Sequence, residues 1–468
     1  MAKLIDELIR LADSDEYPMH MPGHKRHGEG SFLENAYRID ITEIEGYDNL
    51  YEAEGILKTA LDRAARVFGA DRSWFLVNGS TVGILTAVSA LTHYGDKILM
   101  ARNCHKSVYH AVEIRGLKTT YLFPEKLTEW DFTGTITPQS VKEALEKEND
   151  YAAIVITSPT YEGITADISA IAALAHEKNI PLIVDEAHGA HFSLHEEVPK
   201  SAICLGADVV IQSLHKTLPA FTQTGLLHLK SGLVNEKRID KFLQIYQTSS
   251  PSYLLMSGID ECIDLMENQG KELFEAFLQR KEIFLSSCKR LSKIKIYTQE
   301  KNLDPCKLVI SVKNTNMTGR ELQKRLLNQY HIQVEMAAPT YVLCILTVAD
   351  DQTGFDRLYH ALSEIDRTLL TCSKAENIIS YQVINRCPIC EMDDIQTEKI
   401  NLKESVGKIA AEFVNIYPPG IPILVPGEEI TASIIEVLTT DQKKGMHIQG
   451  ITNDQILITV MNESEKGD

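Results

Sequence analysis

Between Ser73 and Leu229 the chain alternates short apolar runs with segments of helical spacing, a rhythm that few folds accept. Ser73 to Val77, Ala153 to Thr157, Pro181 to Asp185, Asp208 to Gln212 and Gly225 to Leu229 read as strands. Val82 to Leu91 and Ile168 to Glu177 read as helices. Short apolar strands separated by helices predict a mainly parallel α/β sheet covered on both faces. In such a sheet ligands sit beyond the carboxyl ends of the strands.

The flanks read differently. Residues 1–55 hold short polar, turn-rich stretches and are expected to form an N-terminal arm. A helix with Leu57, Leu61, Ala64, Ala65 and Phe68 on one face then stops at Gly69. Residues 56–259 make the large ligand-binding domain. Residues 260–376 supply connecting helices, to about Lys301, and a small α+β domain with strands at Lys307 to Val312 and Val342 to Val348. Residues 377–468 form a C-terminal domain whose last six residues fray.

The 47 Lys+Arg against 65 Asp+Glu give a net charge of −18, which argues against a nucleic-acid surface. No apolar run is long enough for a bilayer, and Asp6 and Glu7 interrupt what would be the core of a signal peptide. The expectation is a cytoplasmic protein without membrane or nucleic-acid partners. Its nine cysteines are then reduced thiols.

Four features carry chemistry. Ser213-Leu214-His215-Lys216-Thr217 follows the apolar run Val209-Val210-Ile211, so Lys216 sits at a strand end beside Ser213 and His215. A lysine there can form a Schiff base with a carbonyl cofactor; the alternative is a surface lysine. Asn78-Gly79-Ser80-Thr81 lies between a strand and a helix. It offers hydroxyls and backbone N–H groups to a phosphate, or simple helix capping. Asp185, just after a buried strand, can pair with a protonated ring nitrogen. The nearby His188 and His191 imitate a metal set with it, but no further matched ligands follow and no metal is expected. His105, after Lys97 to Ala101, can stack on a flat ring or be a structural histidine. An anion site, a ring face, a counter-charge and an amine are what pyridoxal 5′-phosphate (PLP) requires.

These residues, taken in order, resemble the PLP-dependent ornithine/lysine/arginine decarboxylases in their shorter bacterial form. The matching pieces include Met21-Pro22-Gly23-His24-Lys25, Asp40 to Glu43, Asn78 to Thr81, Cys104 to Ser107 and Ser158 to Gly163. They continue with Asp185 to His191, Ser213 to Pro219, Thr248 to Tyr253 and Tyr417 to Glu428. The resemblance implies an aspartate-aminotransferase-like (type I) PLP fold with smaller C-terminal α+β domains and a homodimer with shared active sites. It implies Lys216 as the Schiff-base lysine, Asp185 on the ring nitrogen and His105 on the ring face. Ser80, Thr81, Ser213 and His215 hold the phosphate, and His188 lies near ring and substrate. Thr248 and Ser249 reach the neighbouring subunit's phosphate. The large inducible members carry an N-terminal wing domain, which this sequence does not show. Many members have Gly-Thr-Ser where this chain has Gly79-Ser80-Thr81.

The implied reaction is decarboxylation of a basic amino acid, arginine ahead of lysine or ornithine, to CO2 and an amine feeding polyamine synthesis. Lys216 and His188 are the candidate donors of the proton returned to Cα. Aminotransfer, aldol cleavage and a non-catalytic PLP-binding regulator are the rival readings. Cys387-Pro388-Ile389-Cys390 lacks the second pair of a zinc site. Lys25 and Arg26 read as a solvated basic pair, and Tyr417-Pro418-Pro419-Gly420 as a rigid turn.

Overall fold

Seven strands line up in the computed structural model, which describes residues 3–26, 30–230, 232–298, 302–372, 382–392, 395–416, 421–443 and 446–459. The strands are β1 (Arg72–Leu76), β2 (Lys97–Ala101) and β3 (Lys118–Leu122), then, after a small hairpin of β4 (Lys126–Leu127) and β5 (Phe132–Thr133), β6 (Ala153–Thr157), β7 (Leu182–Asp185), β8 (Val209–Ser213) and β9 (Gly225–Leu229). Their order is β1-β9-β8-β7-β6-β2-β3. Strands β3, β2, β6, β7 and β8 are mutually parallel, as the alternating pattern predicts.

Strand β9 departs from that pattern and runs antiparallel to both β8 and β1. Only residues 214–224 join β8 to β9, fewer than the dozen or so a parallel crossover needs. Every residue of β7, β8 and β9 is buried, the signature of a sheet covered on both faces. Six strands therefore release the chain at one edge, and reversed β9 begins at that same edge.

The arm is held more firmly than its composition predicts. Helix Leu4–Ala12 buries Leu4, Leu8 and Leu11, and the Leu4 N–H donates to buried Asp260 (3.0 Å). Lys25 and Arg26 are not a solvated pair. The Lys25 ammonium donates to the His20 carbonyl (2.6 Å) and the Arg26 guanidinium to that of Leu11 (2.8 Å). Asp260 belongs to one helix of 36 residues, Tyr253–Cys288. It starts before the expected boundary because Ser252 caps it, accepting from the Leu255 N–H.

Beyond this helix, β10 (Lys295–Ile296), β11 (Lys307–Ser311), β12 (Met336–Ala337) and β13 (Tyr341–Ile345) form an antiparallel sheet in the order β10-β11-β13-β12. The C-terminal residues build two further three-stranded sheets beside helix Ala432–Lys443. Arg102, one residue past β2, ties them to the large sheet. It donates to the Pro422 carbonyl (2.7 Å), the Ile423 carbonyl (3.0 Å) and buried Glu428 (3.1 Å).

The Tyr417 to Gly420 turn and the last six residues lie outside the described residues. The nine cysteines are all free thiols. Among the described residues no helix is long and apolar enough to cross a membrane.

Candidate active site

The common strand edge opens into a cavity of about 850 Å³ lined by residues from five strand ends and from the start of β9. Ser80, Thr81, His105, Asp185, His188, Ser213, His215 and Lys216 all line it. Thr248 and Ser249 do not.

Beyond β1 the chain turns at Gly79, whose φ of +77° suits a residue without Cβ, and enters helix Gly79–Leu91. Asn78 at the N-cap makes no side-chain cap bond, because its amide oxygen accepts from the Thr248 N–H (3.0 Å). The Gly79 N–H donates to the Gln223 carbonyl (2.8 Å), and the helix start has no side-chain cap. The Ser80 and Ser213 hydroxyls lie 2.6 Å apart, bringing the β1 and β8 ends to one spot. His215 donates Nδ1–H to the Thr224 carbonyl (2.8 Å), which leaves Nε2 as an acceptor. Burial holds this imidazole below its ordinary pKa.

His105 is both a helix cap and part of the cavity lining. It caps helix Lys106–Arg115, accepting at Nδ1 from the Ser107 N–H (3.3 Å), and burial lowers its pKa. The ring is fixed on the cavity wall. Asp185 ends β7 with only 4% exposure, and one carboxylate oxygen accepts from the Ala187 N–H (3.1 Å).

Lys216 lies in the single helical turn Leu214–Thr217, its Nζ 3.1 Å from His188 Nε2. Burial depresses its ammonium pKa, while Asp185 and Glu335 act in the opposite direction. A partly desolvated amine is the form that attacks carbonyl carbon. Burial first, then Lys307 and Lys216, push His188 well below its usual range, so the imidazole is neutral.

His191 does not join Asp185 and His188. It is fully buried and bonds Asp304 at 2.7 Å. The sequence reading missed Tyr161 and Glu335, which face the cavity and are joined through the Tyr161 hydroxyl. It also missed Thr222 and Gln223, brought to the edge by the reversal of β9, and Lys307 behind His188. Tyr161 stands inside the Ser158 to Gly163 motif, the one signal that could have pointed to it.

Comparison with known proteins follows the same lines. Residues 2–302 match the Orn/Lys/Arg decarboxylase major domain and residues 380–465 the corresponding C-terminal domain. The arginine decarboxylase of Bacillus subtilis is 36% identical over 98% of this chain and 97% of its own length. The lysine decarboxylase of Hafnia alvei is 22% identical over 96% of this chain and 76% of its own. Among solved structures, the Francisella novicida lysine decarboxylase superposes with a TM-score of 0.85 at 20% identity, covering 98% of this chain and 81% of that one. An alanine–glyoxylate aminotransferase from Nostoc shares the fold more loosely (TM-score 0.54, 14% identity, 67% of this chain, 88% of that one).

Proposed function

We propose, from the premise that the chain belongs to the Orn/Lys/Arg decarboxylase family, that it uses PLP to remove the α-carboxylate of arginine, with lysine and ornithine as lesser substrates. The observation that carries this reading is the single cavity in which an uncapped helix start, a buried carboxylate and a desolvated lysine meet. Arginine is placed first because relatives at 36% and 35% identity are arginine decarboxylases.

The donor set fits the cofactor. Ser80, Thr81, Ser213 and His215, with the N–H groups of the helix start, would hold its phosphate. His105 would cover one ring face, Asp185 would keep the ring nitrogen protonated and Lys216 would hold the aldehyde carbon. When bound, PLP supplies an electron sink for the pair left on Cα as CO2 departs.

The chain's own residues supply the rest. His188 Nε2 lies 3.1 Å from Lys216 Nζ, within hydrogen-bond reach of that amine, and either group would return a proton to Cα. Glu335 places an exposed carboxylate on the wall, opposite in charge to a basic side chain. Glu335→Gln is expected to raise KM for arginine about two- to fivefold with little change in kcat, the scale of a partly exposed ion pair. Steady-state kinetics on the purified holoenzyme read the split.

We read the assembly as a homodimer with shared sites. Thr248 and Ser249 do not line their own chain's cavity, and the chain would lend them to its neighbour's phosphate. The nine free thiols favour a cytoplasmic setting. The deciding experiment is a panel of arginine, lysine and ornithine with PLP, scored for CO2 and amine. Agmatine as the fastest product is expected. Stoichiometric keto acid would mark an aminotransferase, and no saturable turnover would leave a cofactor-binding regulator.

A further inference from the structure

A buried lysine stands behind the candidate site and contributes nothing to its wall. Lys307, at the start of β11, is 2% exposed, and its Nζ lies 2.6 Å from His188 Nδ1. The other ring nitrogen of His188 faces Lys216 at 3.1 Å. One imidazole thus bridges two lysines, one from the helical turn after β8 and one from β11. The approach is built into the backbone. Gly163 has φ +100°, and a Cβ there would come within 2.6 Å of Lys307 Cγ. The Gly163 carbonyl accepts from the Asp304 N–H (2.8 Å), fixing the loop that presents the lysine.

We infer that Lys307 is a positioning residue whose ammonium fixes the tautomer of His188, so that Nε2 carries the proton and points it at Lys216. An ammonium has donors and no acceptor, so a charged Lys307 obliges His188 Nδ1 to accept. A neutral ring then has its single N–H on Nε2. Lys216, the receiving group, must be a neutral amine. The opposite arrangement would charge Lys216 and leave Lys307 to accept.

Two observations favour the first. The Lys307 ammonium lies 5.4 Å from the centre of the Tyr161 ring, a cation–π distance. Although burial opposes it, Asp304 is held below the usual carboxylate range by His191 and Lys307, and so stays ionised beside Lys307. Burial lowers Lys307 itself to about 8, further than it lowers Lys216, so the charge on Lys307 rests on Asp304 and the Tyr161 ring. The remaining groups facing the pair are Cys306, Glu162, Glu335, His105 and His215. The inference rests on the reading of Lys216 as the amine that takes the cofactor aldehyde, because that amine must be neutral to react.

The test uses apoprotein and needs no turnover. Nitrogen-15 histidine NMR, with His188 identified by the signal lost in His188→Gln, is expected to show Nε2–H and a neutral ring at pH 7, below the value of about 8 at which Lys307 loses its charge. Competitive acylation with peptide mass mapping follows the reactivity of Lys216. Lys307→Met removes the charge, so the Lys216 ammonium is favoured and labelling at pH 7 falls about tenfold, one unit of pKa. Lys307→Arg, which keeps the charge, stays within about twofold of wild type on that scale.

Nδ1–H on wild-type His188 overturns the inference even if Lys307→Met does not fold. Equal Lys216 labelling in the Met and Arg variants overturns it too. A cofactor adduct trapped at another lysine would instead defeat the proposed function while leaving the tautomer result standing.

Discussion

Lys216→Ala is expected to cost on the order of 10⁶ in kcat, the scale on which losing the nucleophile of a covalent catalyst falls. Wild-type protein incubated with PLP and reduced with borohydride should carry one stable adduct on the peptide containing Lys216, and the variant none. The substitution removes a half-buried side chain from a one-turn helix whose buried members are Leu214 and Thr217. The melting temperature of the apoprotein should therefore move little, which separates lost chemistry from lost fold. The two-lysine bridge sharpens the expectation. Without Lys216 the proton on His188 Nε2 loses its nearest acceptor, so added small amines should restore only a small part of the rate. A variant that still releases CO2 at a normal rate, or an adduct mapped to Lys307, refutes the assignment.

How much of this could be read from the sequence depends on distance along the chain. Ser80, His105, Asp185, Ser213 and Lys216 each follow an apolar run closely, so strand patterning alone brings them to one edge once the sheet is mainly parallel. The direction of β9 was hidden because its residues are as apolar as those of the parallel strands; only the short link 214–224 betrays it. Lys307 was hidden for another reason. It comes from a different sheet, 119 residues from His188, and at the head of an apolar strand it reads as an ordinary solvated end. Its partner signal, Gly163, has meaning only when the positive φ and the approaching lysine stem are both known. His191 shows why the metal set was rightly discounted. It lies close to Asp185 in sequence, yet the turn directs it to Asp304 in another part of the molecule.

Asp185→Asn should lower kcat by about 10²–10³, the cost of removing one preorganised charge from a catalytic centre. The change is nearly isosteric, and Asn keeps an oxygen able to accept the Ala187 N–H, so the β7 end should hold its shape. What disappears is a buried negative charge with 4% exposure, where the low dielectric makes it count most. Two readouts distinguish this from a loss of binding. The cofactor should still bind and trap on Lys216, because the phosphate side of the cavity is untouched. The apoprotein should also change in a direction a structural defect would not give. Asp185 favours the Lys216 ammonium, so its removal lowers that pKa and raises Lys216 labelling at pH 7. A near-wild-type rate would take Asp185 out of the catalytic role. Lower Lys216 labelling would show that the carboxylate does not act on the lysine through its charge.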